Sequence, residues 1–319
     1  MVATSCNACD AMNESVDVAK LLEVEHLTRY RYAAPVDVAH HLGFLRPLDD
    51  GRQQVTSFEM VVEPEPSHQH SEPDRLGNRR TCFTVTQPHR ELQVRTTSRV
   101  HVHAEPAVDA TLTPPWERVR DRLRYVAGAP FQAASEFVFA SPYVTDVPGL
   151  RELALPAFAP GTPIAQGAID LMARIHSGFT YRSASTEVDT PLAEVLATRR
   201  GVCQDFAHVM IGALRSLGLA ARYVSGYLLT ATSGAAAQAV PMLGADASHA
   251  WLALWCPMTD GSSARWLELD PTNDLLPTTS HVRLAIGRDY GDVTPLRGVI
   301  RGGGGEHQLD VRVRTRQQV

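Results

Sequence analysis

Two apolar runs in the second half of the chain constrain the fold more than any other feature of the sequence. Residues 248–255 read SHAWLALW and residues 265–272 read RWLELDPT, and the polar segment between them contains Asp260-Gly261, a dipeptide typical of tight turns. Large side chains alternate along both runs with the period of two that β-strands have. The sequence therefore predicts an antiparallel hairpin at this position.

The register of this hairpin decides which side chains meet. A turn centred just before Asp260 places His249 directly opposite Asp270 on the partner strand. A carboxylate in that position can accept the proton of a histidine ring nitrogen, fix its tautomer and stabilise the imidazolium. The pattern predicts that His249 is a general base oriented by Asp270. Trp251 lies on the same predicted face and is a candidate for the wall of a substrate cleft.

Cys203 begins a predicted helix. The apolar residues after it recur at helical spacing until Gly218, a residue typical of helix ends. They are Phe206, Met210, Leu214 and Leu217. The unpaired N–H groups and the positive dipole end of a helix N-terminus favour the thiolate, which is the form of cysteine that attacks amides. The sequence therefore predicts that Cys203 is a nucleophile and that its own N–H is one oxyanion donor.

Each of these three residues also has an ordinary structural interpretation. Cys203 alone could be a small buried apolar residue, His249 a core histidine and Asp270 a turn residue. The hairpin register favours the catalytic interpretation, because it brings two of them together independently of the third. His208, the histidine nearest to Cys203 in sequence, lies about 140° around the predicted helix from the thiol and is not expected to act as the base.

The rest of the chain divides into regions of different pattern. Residues 21–110 contain short alternating runs broken by Pro, Gly and Asp, which predict an antiparallel β domain, and residues 1–20 are expected to be a disordered tail. Helical patterns follow, so residues 111–319 are the expected catalytic domain. Its last strand, at 306–316, could pack on the β domain. The predicted fold class is α+β.

Two further helices are predicted before Cys203. Apolar residues recur at helical spacing from Ile164 to Phe179. Thr190 and Pro191 form a typical N-cap and first-turn pair, and Gly201 is expected to end the helix that they begin.

Composition narrows the possible partners. A net charge of -5 does not create the basic surface that nucleic acid or an anionic membrane would attract, and no apolar run approaches the ~20 residues of a membrane span. Five cysteines, an odd number, do not suggest a disulfide framework, so we expect a cytoplasmic location. The pair Cys6 and Cys9 is weak evidence for a metal or redox site. We expect no metal and no cofactor, and the oligomeric state is not indicated.

Three segments resemble the motifs of the transglutaminase-like superfamily in residue type, order and spacing. They are GVCQDFAHVMIGALRSLGLAARYVSGYL, SHAWLALW and WLELDPTND. The resemblance implies that Cys203 is the nucleophile, His249 the base and Asp270 its orienter. Residues 24–47 and 281–313 resemble the start and end of a bacterial branch that carries an N-terminal β domain. Members of that branch are described as candidate cysteine proteases.

This resemblance also implies a fold and a reaction. The superfamily has a papain-like core, in which a helix bearing cysteine packs on an antiparallel sheet bearing histidine and aspartate. Animal members use an upstream Trp in the oxyanion hole, and none lies between Trp116 and Cys203, so Tyr181 and Gln204 are the candidate second donors. We expect a thiol-dependent hydrolase of peptide or isopeptide bonds. Amine-accepting transglutaminase activity and a non-catalytic binding module are the alternatives.

Overall fold

The computed structural model describes residues 19–182, 189–230, 242–244, 248–258 and 264–318. The Cys6 and Cys9 pair, most of the predicted tail and the hairpin turn at Asp260-Gly261 lie outside these residues. The α-helices of the described residues are α1 (Trp116–Leu123), α2 (Leu150–Ala154), α3 (Ile164–Gly178), α4 (Leu192–Thr198) and α5 (Cys203–Ser216). The strands are β1 (Lys20–Arg46), β2 (Gln53–Glu63), β3 (His68–Pro73), β4 (Arg79–Val85), β5 (His89–Val102), β6 (Thr180–Tyr181), β7 (Arg200–Gly201), β8 (Ala221–Leu228), β9 (His249–Pro257), β10 (Ala264–Leu269), β11 (His281–Gly287), β12 (Leu296–Gly302) and β13 (His307–Gln317).

An antiparallel sheet built around β1 forms the N-terminal region. Its order is β2-β5-β1-β4-β3, and β12 and β13 also pair with β1. The first part of the 27-residue β1 pairs with β5 and β13, and its later part pairs with β4 and β12. The end of the chain therefore returns to the N-terminal sheet. The strand begins at Lys20, inside the segment that was expected to be a tail.

A second antiparallel sheet, of order β10-β9-β8-β11, carries the candidate site. One face packs on α5, because Ala250, Leu252 and Leu254 belong to the same apolar cluster as the buried side chains of that helix. The other face packs on the N-terminal sheet through a second cluster. Its members include Leu22, Val24, Val100, Tyr227, Val282 and Leu284. Helices on one face and a sheet on the other confirm the α+β class.

The helices before Cys203 begin close to where the sequence predicts them. The α3 helix matches its predicted span almost to the residue. The α4 helix follows Pro191 but ends at Thr198, because Arg199 takes a left-handed conformation with φ of 52° and caps the helix. The expectation that Gly201 ends this helix is therefore wrong. Gly201 instead lies in β7, which pairs in parallel with β6.

The predicted hairpin register is wrong by two residues. Leu269 lies opposite Leu252, and Ala264 lies opposite Pro257. In this register His249 and Asp270 are not directly opposed. A shift of two preserves the faces of both strands, because side chains alternate with a period of two. His249 and Asp270 therefore remain on the same side.

Candidate active site

Cys203 is the first residue of α5 and its side chain is buried. The N–H of Val202 donates a hydrogen bond to Asp205 Oδ2 at 2.8 Å, which ties the residue before the helix to its first turn. A Cβ at position 201 would lie 2.6 Å from the same oxygen, so only glycine fits at Gly201. This local arrangement fixes the thiol of Cys203 at the helix N-terminus.

His249 lies at the start of β9 and bonds Asp270. Its Nε2 is 2.8 Å from Asp270 Oδ2, and both side chains are fully buried. The second ring nitrogen, Nδ1, is also buried and makes no well-formed hydrogen bond to a described residue, but the Cys203 side chain is near enough to interact with the ring. Burial acts to lower the pKa of His249, yet Asp270 first and Cys203 second outweigh it and raise this pKa to about 10. This raised pKa favours the imidazolium form of the ring, which lies between the Asp270 carboxylate and the Cys203 sulfur.

Hydrogen bonds from nitrogen donors to both oxygens hold the Asp270 carboxylate in one orientation. Its Oδ1 accepts from the N–H groups of Thr272 at 3.0 Å and Asn273 at 3.3 Å. Its Oδ2 accepts from Asn273 Nδ2 at 2.8 Å and lies 3.4 Å from His281 Nε2, besides its bond to His249. Burial acts against ionisation, but the charge of His249 and the hydrogen bonds from His249 and His281 lower the pKa of Asp270 well below its usual range.

Sequence reasoning missed His281 and Asn273. His281 begins β11 and is buried against Asp270, and burial lowers its pKa. The signal was present, because HVRLAIG is an apolar strand that begins with histidine, as SHAWLALW nearly does. Asn273 also bonds the preceding loop, since its Oδ1 accepts from the N–H of Leu243 at 2.9 Å. It thereby connects Asp270 to the chain segment that passes over His249.

Trp251 does not line an open cleft, so that expectation is wrong. Its side chain is fully buried, and its Nε1–H donates to Glu268 Oε2 at 2.9 Å. It lies on the face of β9 that points away from α5, where it packs against Leu48 of the N-terminal region.

Tyr181 and the backbone of Gly244 border the same small space as His249. A Cβ at Gly244 would lie 2.7 Å from His249 Nδ1 and 3.7 Å from the Tyr181 hydroxyl. The β6-β7 pairing brings Tyr181 opposite Gly201, two residues before the nucleophile. Gln204 follows Cys203 in α5 and is half-buried. An oxyanion role for Tyr181 or Gln204 stays a prediction.

His208 is held away from this array. Its Nε2 accepts the N–H of Tyr290 at 3.2 Å, and burial lowers its pKa to about 3. Among the residues that the structure describes, no group of three or more His, Cys, Asp or Glu side chains is arranged to hold a metal ion. None of the described helices is long and apolar enough to span a membrane.

The fold and the site define the class of protein. A buried cysteine begins a helix, the helix packs on an antiparallel sheet, and that sheet and the turn after it carry a hydrogen-bonded histidine and aspartate. This is a papain-like α+β core.

Comparison with known proteins identifies the family. Residues 151–271 match the transglutaminase-like superfamily, and residues 22–101 match the bacterial transglutaminase-like N-terminal region. An uncharacterized protein of Mycobacterium tuberculosis is 41% identical over 295 residues, which are 91% of this chain and 90% of the relative. An uncharacterized protein of Mycobacterium leprae is 31% identical over 92% of this chain and 97% of its own length. The chain belongs to the transglutaminase-like superfamily, as the sequence motifs predict.

A solved structure supports the same fold. A candidate cysteine protease from Cytophaga hutchinsonii superposes with a TM-score of 0.70 and covers 94% of this chain and 91% of its own. The sequences are 20% identical, so this likeness concerns the fold alone.

Proposed function

We propose that the protein is a thiol-dependent hydrolase of peptide or isopeptide amide bonds that acts through an acyl-enzyme. The proposal rests on one observation, the buried array in which Asp270 bonds His249 and the ring of His249 interacts with Cys203 at a helix N-terminus. A nucleophile, a base and an orienter in this order are the groups that covalent acyl transfer requires.

In the first half of the proposed reaction, the Cys203 thiolate attacks the carbonyl carbon of the scissile amide. The electron pair of the C=O bond moves to oxygen, where the N–H of Cys203 and a donor from Tyr181 or Gln204 stabilise it. The tetrahedral intermediate then expels the amine, which takes its proton from the His249 imidazolium. A thioester between Cys203 and the acyl group remains.

In the second half, water hydrolyses this thioester. His249 accepts a proton from water while the water oxygen attacks the thioester carbonyl. Collapse of the intermediate breaks the C–S bond and releases the carboxylic acid. The thiolate of Cys203 and the imidazolium of His249 are restored, with Asp270 ionised throughout.

The surroundings of three tryptophans favour water over an amine as the acceptor. A transglutaminase must exclude water from its thioester, for which an apolar acceptor channel is suited. Trp251 is buried under the N-terminal region, and Trp266 lies under the guanidinium of Arg222, 4.1 Å from its ring centre. Trp255 is buried in the apolar cluster that includes the side chains of α5. None of the three forms an open channel wall beside Cys203.

The test incubates the protein with a peptide library that contains glutamine and isopeptide bonds, with and without millimolar monodansylcadaverine. Mass spectrometry then compares acid release with amine incorporation. We expect acid release to dominate and to disappear in Cys203→Ala. Amine incorporation that outpaces release would instead identify a transglutaminase. A protein that changes no peptide in the library but retains some would be a binding module.

We also propose a cytoplasmic location, because the described cysteines Cys82, Cys203 and Cys256 are all free thiols. Fractionation of the native host with antibody detection tests this. Recovery from an extracytoplasmic fraction would contradict it.

A further inference from the structure

We propose that the N-terminal β domain positions the His249 ring through a chain of contacts formed by Arg52, Glu268 and Trp251. This inference rests on the proposed role of His249 as base to Cys203. The inference gives the N-terminal β domain a function in catalysis. Arg52 belongs to that domain, whereas Glu268 and Trp251 belong to the second sheet, β10-β9-β8-β11, called the catalytic sheet below.

The contact of Trp251 with His249 is the first step. The indole stacks on the imidazole with ring centres 6.0 Å apart and planes inclined by 28°. The same indole is nearly perpendicular to the His281 ring, with the ring centres 5.3 Å apart and the planes inclined by 83°. A Cβ at Gly226 would lie 2.3 Å from Trp251, so the absence of a side chain there admits the indole. Because the three aromatic rings are packed together, His249 cannot tilt unless Trp251 moves.

Glu268 fixes Trp251 in the second step. The indole N–H donates to Glu268 Oε2 at 2.9 Å, and the carboxylate is buried. A buried carboxylate is stable only if it is paired and hydrogen-bonded. Arg52 Nη1 lies 2.9 Å from Glu268 Oε1, whereas Arg283 Nη1 lies 3.5 Å from the same oxygen. Arg52 therefore makes the closer of these two ion pairs with Glu268.

The loop that carries Arg52 is itself fixed to the catalytic sheet. The side chain of Gln53 donates to the carbonyl of Arg283 at 2.8 Å and accepts its N–H at 2.8 Å. Arg52 also pairs with Glu105 at 2.9 Å, which holds the guanidinium from its other side. These contacts hold the guanidinium of Arg52 in one position beside the Glu268 carboxylate.

The test measures alkylation of Cys203 by limiting iodoacetamide at neutral pH, which needs no substrate. Arg52→Met removes the charge, and Trp251→Phe keeps an aromatic face but removes the N–H donor. We expect each variant to slow alkylation of Cys203 by about threefold to tenfold, because a misplaced imidazolium stabilises less of the thiolate. Since both changes interrupt the same chain of contacts, the double variant should be no slower than the slower single variant.

Two further variants separate positioning from general stability. Asn78→Ala cuts another buried link between the sheets, in which Asn78 donates to the Ile286 carbonyl at 2.8 Å and accepts its N–H at 2.7 Å. The side-chain hydrogen bonds of Asn78 to described residues go to Ile286 and Asp74 and bypass Arg52, Glu268 and Trp251. Asn78→Ala should lower the melting temperature and leave the alkylation rate unchanged. Arg52→Lys can keep one ion pair with Glu268 and should restore at least half of the wild-type rate.

The outcomes distinguish this inference from the proposed function. Multiplicative slowing in the double variant, or equal slowing in Asn78→Ala, would overturn the positioning role. Unchanged alkylation in Arg52→Met would do the same. A wild-type protein whose Cys203 reacts no faster than Cys256 would instead overturn the proposed nucleophile. With an active peptide substrate, Arg52→Met should lower kcat and leave KM unchanged, because Arg52 does not touch the substrate.

Discussion

Replacement of Asp270 by asparagine isolates the role of the carboxylate charge. The ionised carboxylate accepts hydrogen bonds from nitrogen donors of four residues. They are His249, His281, Thr272 and Asn273. Asparagine keeps one oxygen for the turn N–H groups but directs an NH2 group at His249 Nε2. The imidazole must then accept at Nε2 and carry its proton on Nδ1. In that tautomer it cannot take the proton of Cys203.

The structure gives the size of the effect. Asp270 is the strongest of the groups that raise the pKa of His249 to about 10, and burial acts in the opposite direction. Without the carboxylate this pKa should fall to about 6.5 or below, a loss of roughly three units or more, and each unit is a factor of ten in the protonation equilibrium constant of the ring, or about 1.4 kcal/mol of stabilisation of the imidazolium. We expect kcat/KM to fall by about 10³-fold or more.

The assay compares kcat/KM of Asp270→Asn and wild type on the best peptide from the library, with thermal unfolding followed by circular dichroism. Asp274→Asn is the matched control, since Asp274 is exposed in the same turn and asparagine tolerates its φ of 51°. The control should keep full activity. An Asp270→Asn protein that folds and retains a third of wild-type kcat/KM would refute the role of Asp270 as orienter.

Three more predictions concern the thiol, acid stability and packing. Iodoacetamide should label Cys203 faster than Cys256, whose pKa burial raises to about 11, and equal labelling in a peptide map would contradict an activated thiol. Burial lowers the pKa of His208 to about 3, so below pH 6.5 the unfolded chain binds the extra proton and stability falls as pH falls toward 3. Between pH 7 and pH 4 the free energy of unfolding should fall by about 3 kcal/mol less in His208→Gln than in the wild type. Urea titrations at both pH values measure this difference. An equal fall in the two proteins would count against a neutral His208. The added Cβ of Gly226→Ala would meet the Trp251 ring. This variant should lose about 1 to 3 kcal/mol in the free energy of unfolding and should slow alkylation of Cys203. Unchanged urea unfolding and unchanged labelling would show that the Trp251 ring can move freely.

The sequence could predict the helix of Cys203 and the strand faces of His249 and Asp270, because both follow from local periodicity. It could not predict the hairpin register. The described strands pair Ala264 with Pro257 and Leu269 with Leu252, two residues away from the register that the sequence predicts. Because side chains alternate with a period of two, His249 and Asp270 still share a face.

The sequence by itself determined the helix and strands that carry the candidate site and which residue types share a face of each. The strand runs, the helix start at Cys203 and the family motifs are all properties of short segments. Only the tertiary structure decided that His281 and Asn273 surround Asp270, that Trp251 packs away from α5, and that Arg52 reaches Glu268. The physical reason is that these contacts join residues far apart in the chain, and their geometry depends on how the two sheets pack, which no local pattern encodes.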